Sequence, residues 1–262
     1  MNAEAPRLIA RAMRSGVERA RLVTIPFSHY CEKARWALDH GGIPFDESPH
    51  LPILSWTASI PRGKSRTVPV LFADGEVVAD STDILRWVDR RSDRAKLFPE
   101  GDGEAVRLEE LFDRRLGTSA RRVAYFHMLR DGHATRTLFS KNVPGWERLV
   151  ASVATPLIGA MIGRGLGVSE EGASRSTKAI AEVFAEVERL LADGCAWLTG
   201  DRFTAADLTF AALAGPIVFP PGLEKWGLDL ALAPASLREA VESYRATPAG
   251  RFAIRAYERE RG

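Results

Sequence analysis

The pattern of apolar and polar positions changes character about a third of the way along the chain. Residues 21–25 form a short β-branched run closed by Pro26, which predicts a strand. Phe27, Cys31, Ala34 and Leu38 follow at spacings of four, three and four, one face of a helix over 28–40 that Gly41 and Gly42 end. A second strand is predicted at 44–47. Residues 49–66 contain Pro49, Pro52, Pro61 and Gly63 and read as loop, with one helical turn at 53–58. Residues 68–72 are apolar and β-rich, Asp74-Gly75 is a hairpin turn, and 76–79 return as a fourth strand. A helix over 81–91 places Ile84, Leu85 and Val88 on one side, with Ser81 as its N-cap.

Residues 92–104 are polar, with proline and glycine, and after them the strand signals largely stop. Helical periodicity runs through 104–130, 146–163, 174–193, 204–218 and 234–260. The clearest helix start is Thr204 with Asp207 three residues on, a capping box flanked by Phe203 and Leu208. This organisation predicts an extension at 1–20, an α/β domain at 21–92, a linker at 93–104 and an all-α domain at 105–262.

Composition narrows the function classes. Among 262 residues, 36 basic side chains face 34 acidic ones, so no whole-molecule field draws the chain to nucleic acid or to a membrane surface. Arg114, Arg115, Arg121 and Arg122 cluster locally and read as a solvated helix face. Cys31 and Cys195 are too few for a disulfide scaffold and form no C-x-x-C, so a reducing cytoplasm is the expected compartment. The histidines show no H-E-x-x-H, and no metal is expected. No apolar stretch is read as reaching the roughly 18–20 residues that span a bilayer. Arg7, Arg11, Arg14 and Arg19 give 1–20 a transit-peptide flavour, but Glu4 and Glu18 argue for a surface extension. The phosphate-loop-like run from Ala58 to Ser65 is discarded, because a β-rich run follows it where a helix is required.

Three places in the first domain belong together. Ser28 and Cys31 stand where the first strand gives way to a helix, whose unpaired amides and positive end stabilise a thiolate. Val68-Pro69 opens a strand, where a cis proline would turn the preceding backbone outward to pair with a peptide. Asp80 and Ser81 start another helix, where the N-terminus holds a carboxylate and Asp80 pairs with an ammonium. One thiol, one extended backbone and one amino-acid head group describe a site shaped for glutathione.

The motifs S-x-x-C-x-K-x-R-x-x-L (28–38), T-V-P-V-L (67–71), D-S-x-x-I (80–84) and T-x-x-D (204–207) occur in that order. From about residue 21 onward the chain thereby resembles the glutathione transferase superfamily, in a serine-type, bacterial-like form. The resemblance implies a thioredoxin-like βαβαββα domain followed by an all-α domain. It implies a cytoplasmic homodimer that binds glutathione as co-substrate and attaches it to a small electrophile in detoxification. Ser28 takes the thiol-activating position, Val68 with Pro69 meets the cysteinyl backbone, and Asp80 and Ser81 bind the γ-glutamyl end. Lys64 or Arg66 meets the glycyl carboxylate. Tyr125, Phe126 and Met128 lie where the electrophile pocket usually has a wall, and the glycine-punctuated stretch 131–173 is expected to reshape that pocket or a dimer surface. A serine in place of a first cysteine favours conjugation over mixed-disulfide chemistry. Two alternatives stay open: a non-catalytic binding or assembly module on the same fold, and a thiol redox enzyme using Cys31. The apolar stripe argues that Cys31 is buried and inert, with Lys33 and Arg35 pointing elsewhere on the helix.

Overall fold

The computed structural model describes residues 19–63, 65–94 and 96–261. Most of the extension expected at 1–20, and Lys64, lie outside the described residues. The first domain is β1 (Ala20–Thr24), α1 (His29–His40), β2 (Phe45–Pro49), α2 (Trp56–Gly63), β3 (Val70–Ala73), β4 (Glu76–Val78) and α3 (Ser81–Arg91). The strands form one sheet in the order β2-β1-β3-β4. The β1–β2 pair is parallel and the pairs to β3 and β4 are antiparallel. This is the thioredoxin-like arrangement. The remainder is helical: α4 (Gly103–Leu111), a π-helical segment (Phe112–Gly117), α5 (Thr118–Met128), α6 (Gly132–Ser140), α7 (Gly145–Leu166), α8 (Glu170–Leu191), α9 (Ala205–Val218), α10 (Ala235–Arg245) and α11 (Pro248–Glu260), with two 3-10 turns before α10.

Several boundaries differ from the sequence reading, each for a local reason. The region read as loop contains α2, a two-turn helix that tolerates Pro61 near its end. The N-cap of α3 is Asp80 and not Ser81: Asp80 Oδ1 accepts from the amides of Thr82 (2.8 Å) and Asp83 (3.4 Å), and Ser81 is the buried first helical residue. The helix α6 was missed, although Asp131 caps it through the amides of His133 and Ala134. The run 234–260 divides in two where Thr247 caps a helix that starts at Pro248. The helix α7 is long and apolar enough, by length and composition, to cross a membrane, with a mean hydropathy of 1.5 over its most apolar 18 residues. That corrects the expectation of no such stretch: its glycines, with Ser152 and Thr155, break the apolar run without adding charge. Its Glu147 is fully buried and accepts from His50 Nδ1 and from the amide of Leu51, tying α7 to the first domain.

The helix α9 is buried along its whole length and forms the axis of the molecule. The capping box starts it as expected. Asp207 accepts from the Thr204 amide (2.8 Å), the Thr204 hydroxyl (2.9 Å) and the Leu198 amide (2.8 Å). The main core runs from Leu22, Trp36, Leu71 and Trp87 of the first domain to Phe210 and Leu213 on α9. Burial on this scale supplies the bulk of the folding free energy.

Charge then fixes how α1 docks. Lys33 has no exposed surface, and its three N–H donors reach Thr82 Oγ1 (2.9 Å), Glu109 Oε1 (2.5 Å) and Asp113 Oδ1 (2.7 Å). Arg35 is also fully buried, paired with Glu47 and Glu32. Both side chains point away from Cys31's apolar contacts, into buried and half-buried carboxylates and not into solvent. Along the same helix, Arg261 reaches Glu32 in the first turn (2.6 Å) and Asp39 in the last (2.8 Å).

Candidate functional site

Ser28 follows β1 by one tight turn, in which its amide donates to the Ile25 carbonyl (3.0 Å). Its backbone is extended, so the side chain caps α1, with Oγ accepting from the Cys31 amide at 3.4 Å. The hydroxyl is half-buried and lines an apolar cavity between the two domains. Cys31 one turn later is fully buried, and its sulfur accepts from the Ile25 amide. Burial pushes its thiol up, with Arg35 and Ser28 only partly opposing that. This disfavours the thiolate that redox chemistry needs.

The sheet register gathers the other positions at the same end. Val23 pairs with Val70 on β3, and Leu71 with Val78 on β4, so Val68, Pro69 and Asp80 all lie toward the end of β1 that leads into Ser28. The Val68–Pro69 peptide bond is cis. Val68 is half-buried, Pro69 buried and Asp80 exposed. The N-terminal turns of α1 and α3 are adjacent, as the bond from Lys33 to Thr82 shows. Val68, Pro69, Asp80 and Ser81 do not line the cavity, whereas Thr67 does.

That cavity measures about 550 Å³, within the range of small-molecule sites. It opens from Ser28 toward the helical domain, between Phe27, Ile53 and Trp56 on one side and Tyr125, Met128 and Leu138 on the other. Of the wall expected on α5, Tyr125 and Met128 are present. Phe126 is not, because its ring faces away and packs under Arg130 at 3.7 Å. The stretch 131–173 contributes Ala134, Leu138, Met161 and Ile162 to the lining. Arg121, read as part of a solvated cluster, also lines it. Its neighbours in sequence go elsewhere, Arg115 to Glu182 and Arg122 to Ser176 and the Leu166 carbonyl.

The π-helical segment explains how α1 meets the helical domain. Such a segment leaves carbonyls outside the usual ladder. Tyr30 donates to the Asp113 carbonyl (3.0 Å), and His29 Nε2 bonds to the Gly117 carbonyl (3.0 Å). A carbonyl only accepts, so Nε2 carries a proton. Gly117 is required, since a β-carbon there would lie 2.4 Å from the Tyr30 hydroxyl. His29 has no signal in the sequence, because its partner lies 88 residues away.

Burial, and then the charge of Arg121, lowers the His29 pKa from 6.5 to about 3. Between those values the unfolded chain binds one more proton than the folded one. The stability tied to this ring is therefore complete above about pH 6.5 and is lost as the pH falls toward 3, at up to about 1.4 kcal/mol per pH unit. Urea unfolding between pH 7 and 4 should show a steeper loss for the native chain than for His29→Gln. Equal slopes would mean that the ring is hydrated.

Residues 22–96 match the family model for the glutathione S-transferase N-terminal domain. That first domain is therefore of glutathione S-transferase type, and solved structures extend the fold over nearly the whole chain. A glutathione S-transferase from Methylobacterium radiotolerans, solved with glutathione sulfonate, is 23% identical, with 90% of this chain and 95% of that one covered at a TM-score of 0.52. The β-etherase LigF of Sphingobium sp. strain SYK-6 is 15% identical, with coverages of 91% and 99% and a TM-score of 0.58. Glutathione transferase F7 of Populus trichocarpa is 14% identical, with coverages of 90% and 98% and a TM-score of 0.52. No curated protein matches the chain in sequence. At these identities the structures speak for the fold, and the reaction has to be argued from the site.

Proposed function

We propose that the protein is a serine-type glutathione transferase. The observation that carries this reading is the placement of Ser28: it caps α1 in a domain of glutathione S-transferase type and opens onto an apolar cavity of about 550 Å³. Glutathione lies along the sheet end, its cysteinyl backbone paired with Val68 beside Pro69. Its γ-glutamyl group sits at the N-terminus of α3, with the ammonium on Asp80 and the carboxylate near Ser81. Asp80 uses only Oδ1 for its cap, which leaves Oδ2 for the ammonium. Lys64, outside the described residues, or Arg66 takes the glycyl carboxylate. The glutathione sulfur then comes to the mouth of the cavity.

Ser28 there donates its hydroxyl proton to the thiolate. A charge-assisted bond of this kind is roughly twice as strong as a neutral one, so a thiolate outcompetes the neutral Cys31 thiol for that proton. The free amides of α1 add positive potential. The thiolate attacks the electrophile held in the cavity: a sulfur–carbon bond forms and the leaving group departs with its electron pair. The reading divides the chain at 21–92, 93–104 and 105–262. It takes the enzyme as a cytoplasmic homodimer serving detoxification.

Calorimetry of glutathione binding, in two buffers of different ionisation enthalpy near neutral pH, tests it. Binding should release close to one proton per site. An absence of binding at millimolar glutathione would sink the reading and leave a fold retained for another purpose.

A further inference from the structure

The cavity beside Ser28 is apolar along most of its wall, yet it carries one uncompensated charge. Four titratable side chains line it among the described residues: His29, Arg121, Tyr125 and Asp229. His29 is neutral, as argued above. Tyr125 is neutral too, its hydroxyl pushed up to about 12 by burial. Asp229 is already engaged, capping the Ala231 amide at 3.0 Å and meeting Lys141 at 3.8 Å. Arg121 is different. Its Nε is buried with no hydrogen-bond partner, and the guanidinium makes no hydrogen bond or ion pair among the described residues. It lies over the face of the Tyr30 ring, at 5.7 Å, and its charge reaches the neutral His29 and Tyr125. Asp113, whose charge also reaches Tyr30, is held by Lys33 at 2.7 Å.

Arg121 is half-buried, so its terminal nitrogens stay open to a ligand while its buried Nε lacks an acceptor, and a charge set in an apolar wall in this way lacks the partner it would normally have. Its planar fork suits one class of partner above others, a carboxylate bound through two parallel N–H···O bonds. The surrounding wall, with Phe27, Met128, Leu138 and Ile162, asks for an apolar body attached to it.

We propose that the electrophile is a mostly apolar molecule bearing one carboxylate, and that Arg121 binds the carboxylate while the apolar body fills the cavity beside Ser28. This rests on the transferase reading for the step the ligand undergoes. Arg121 is a substrate-binding residue and takes no part in bond making.

The test uses the full chain with 4-chloro-3-nitrobenzoate and its uncharged amide. Calorimetry without glutathione comes first. The native protein should bind the carboxylate at least about 10-fold tighter than the amide, the range expected of a hydrogen bond to a charged group. Arg121→Gln should bring that preference to about one, and Arg121→Lys should keep part of it. With glutathione added, sulfur attacks the ring carbon and chloride leaves with the bonding pair. The KM for the carboxylate should then rise about 10-fold or more in Arg121→Gln.

Equal binding of carboxylate and amide by the native protein overturns the proposal and needs no variant. So does an Arg121→Gln protein that loses glutathione affinity and keeps its preference for the carboxylate, since the guanidinium would then serve glutathione. The two readings fail separately. A carboxylate preference that depends on Arg121, in a protein that does not bind glutathione, upholds the carboxylate site and removes the transferase. Glutathione binding with proton release but no carboxylate preference does the reverse.

Discussion

Ser28→Ala should lower turnover about 100- to 1000-fold while glutathione affinity stays within a few-fold, the loss expected when one donor to a developing or full anion is removed. The reason is the double duty of this hydroxyl. It ends the orphan amides of α1 by accepting from Cys31, and it lines the cavity where the sulfur would sit. Alanine removes both functions, and the lost cap alone costs about 1 kcal/mol of stability. Ser28→Gly separates the two, because glycine starts a helix at a cost of only a few tenths of a kcal/mol relative to serine. Both variants should be equally slow although only the alanine variant is measurably less stable. Ser28→Thr, which keeps the hydroxyl, should recover part of the rate. The pH profile gives an independent reading, since the thiol of bound glutathione should titrate higher without the donor. Unchanged turnover in Ser28→Gly would remove Ser28 from the chemistry and leave it as a helix cap.

The largest effect on stability is expected at Lys33. Its ammonium is fully buried and satisfies Glu109, Asp113 and Thr82 at once, and Glu109 is itself fully buried. Lys33→Ala leaves a buried carboxylate with no counter-charge and should cost about 3–5 kcal/mol in urea unfolding. Lys33→Met fills the volume but still strands Glu109, so it should recover little. The double variant Lys33→Met with Glu109→Gln should recover most of the loss, because the penalty lies in the unpaired charge and not in the missing contact. A cost below about 1 kcal/mol for Lys33→Ala would mean that Glu109 reaches water. The consequence for function is direct. Lys33 and Thr82 join α1 to α3, the two helices whose N-termini frame the glutathione site, and Glu109 and Asp113 join both to the helical domain. A weakened junction should raise the KM for glutathione even where the chain stays folded.

What the sequence determined by itself is local. The β-branched and apolar runs of β1 and β3, the helical stripe through Cys31, Ala34 and Leu38, and the Thr204–Asp207 box each carry their signal within a dozen residues. The two-domain architecture and the order of the first domain follow from such signals. Where they failed, the failure was local as well. A carboxylate at Asp80 outcompeted the hydroxyl of Ser81 for the cap, and α6 was hidden behind a single capping aspartate. Tertiary structure alone decided the electrostatics of the site. Lys33, Arg35 and Arg121 are charged side chains on helices, and by composition such residues read as solvated. Lys33 and Arg35 are buried because their partners are set by segments up to 80 residues distant, and Arg121 is half-buried with its Nε unpartnered. His29 is a tertiary outcome too: burial and the charge of Arg121 keep it neutral, and the carbonyl that orients it lies 88 residues away at Gly117. Periodicity records which face of an element is buried. It does not record which charge on another element waits there, and that pairing gives the cavity its sign.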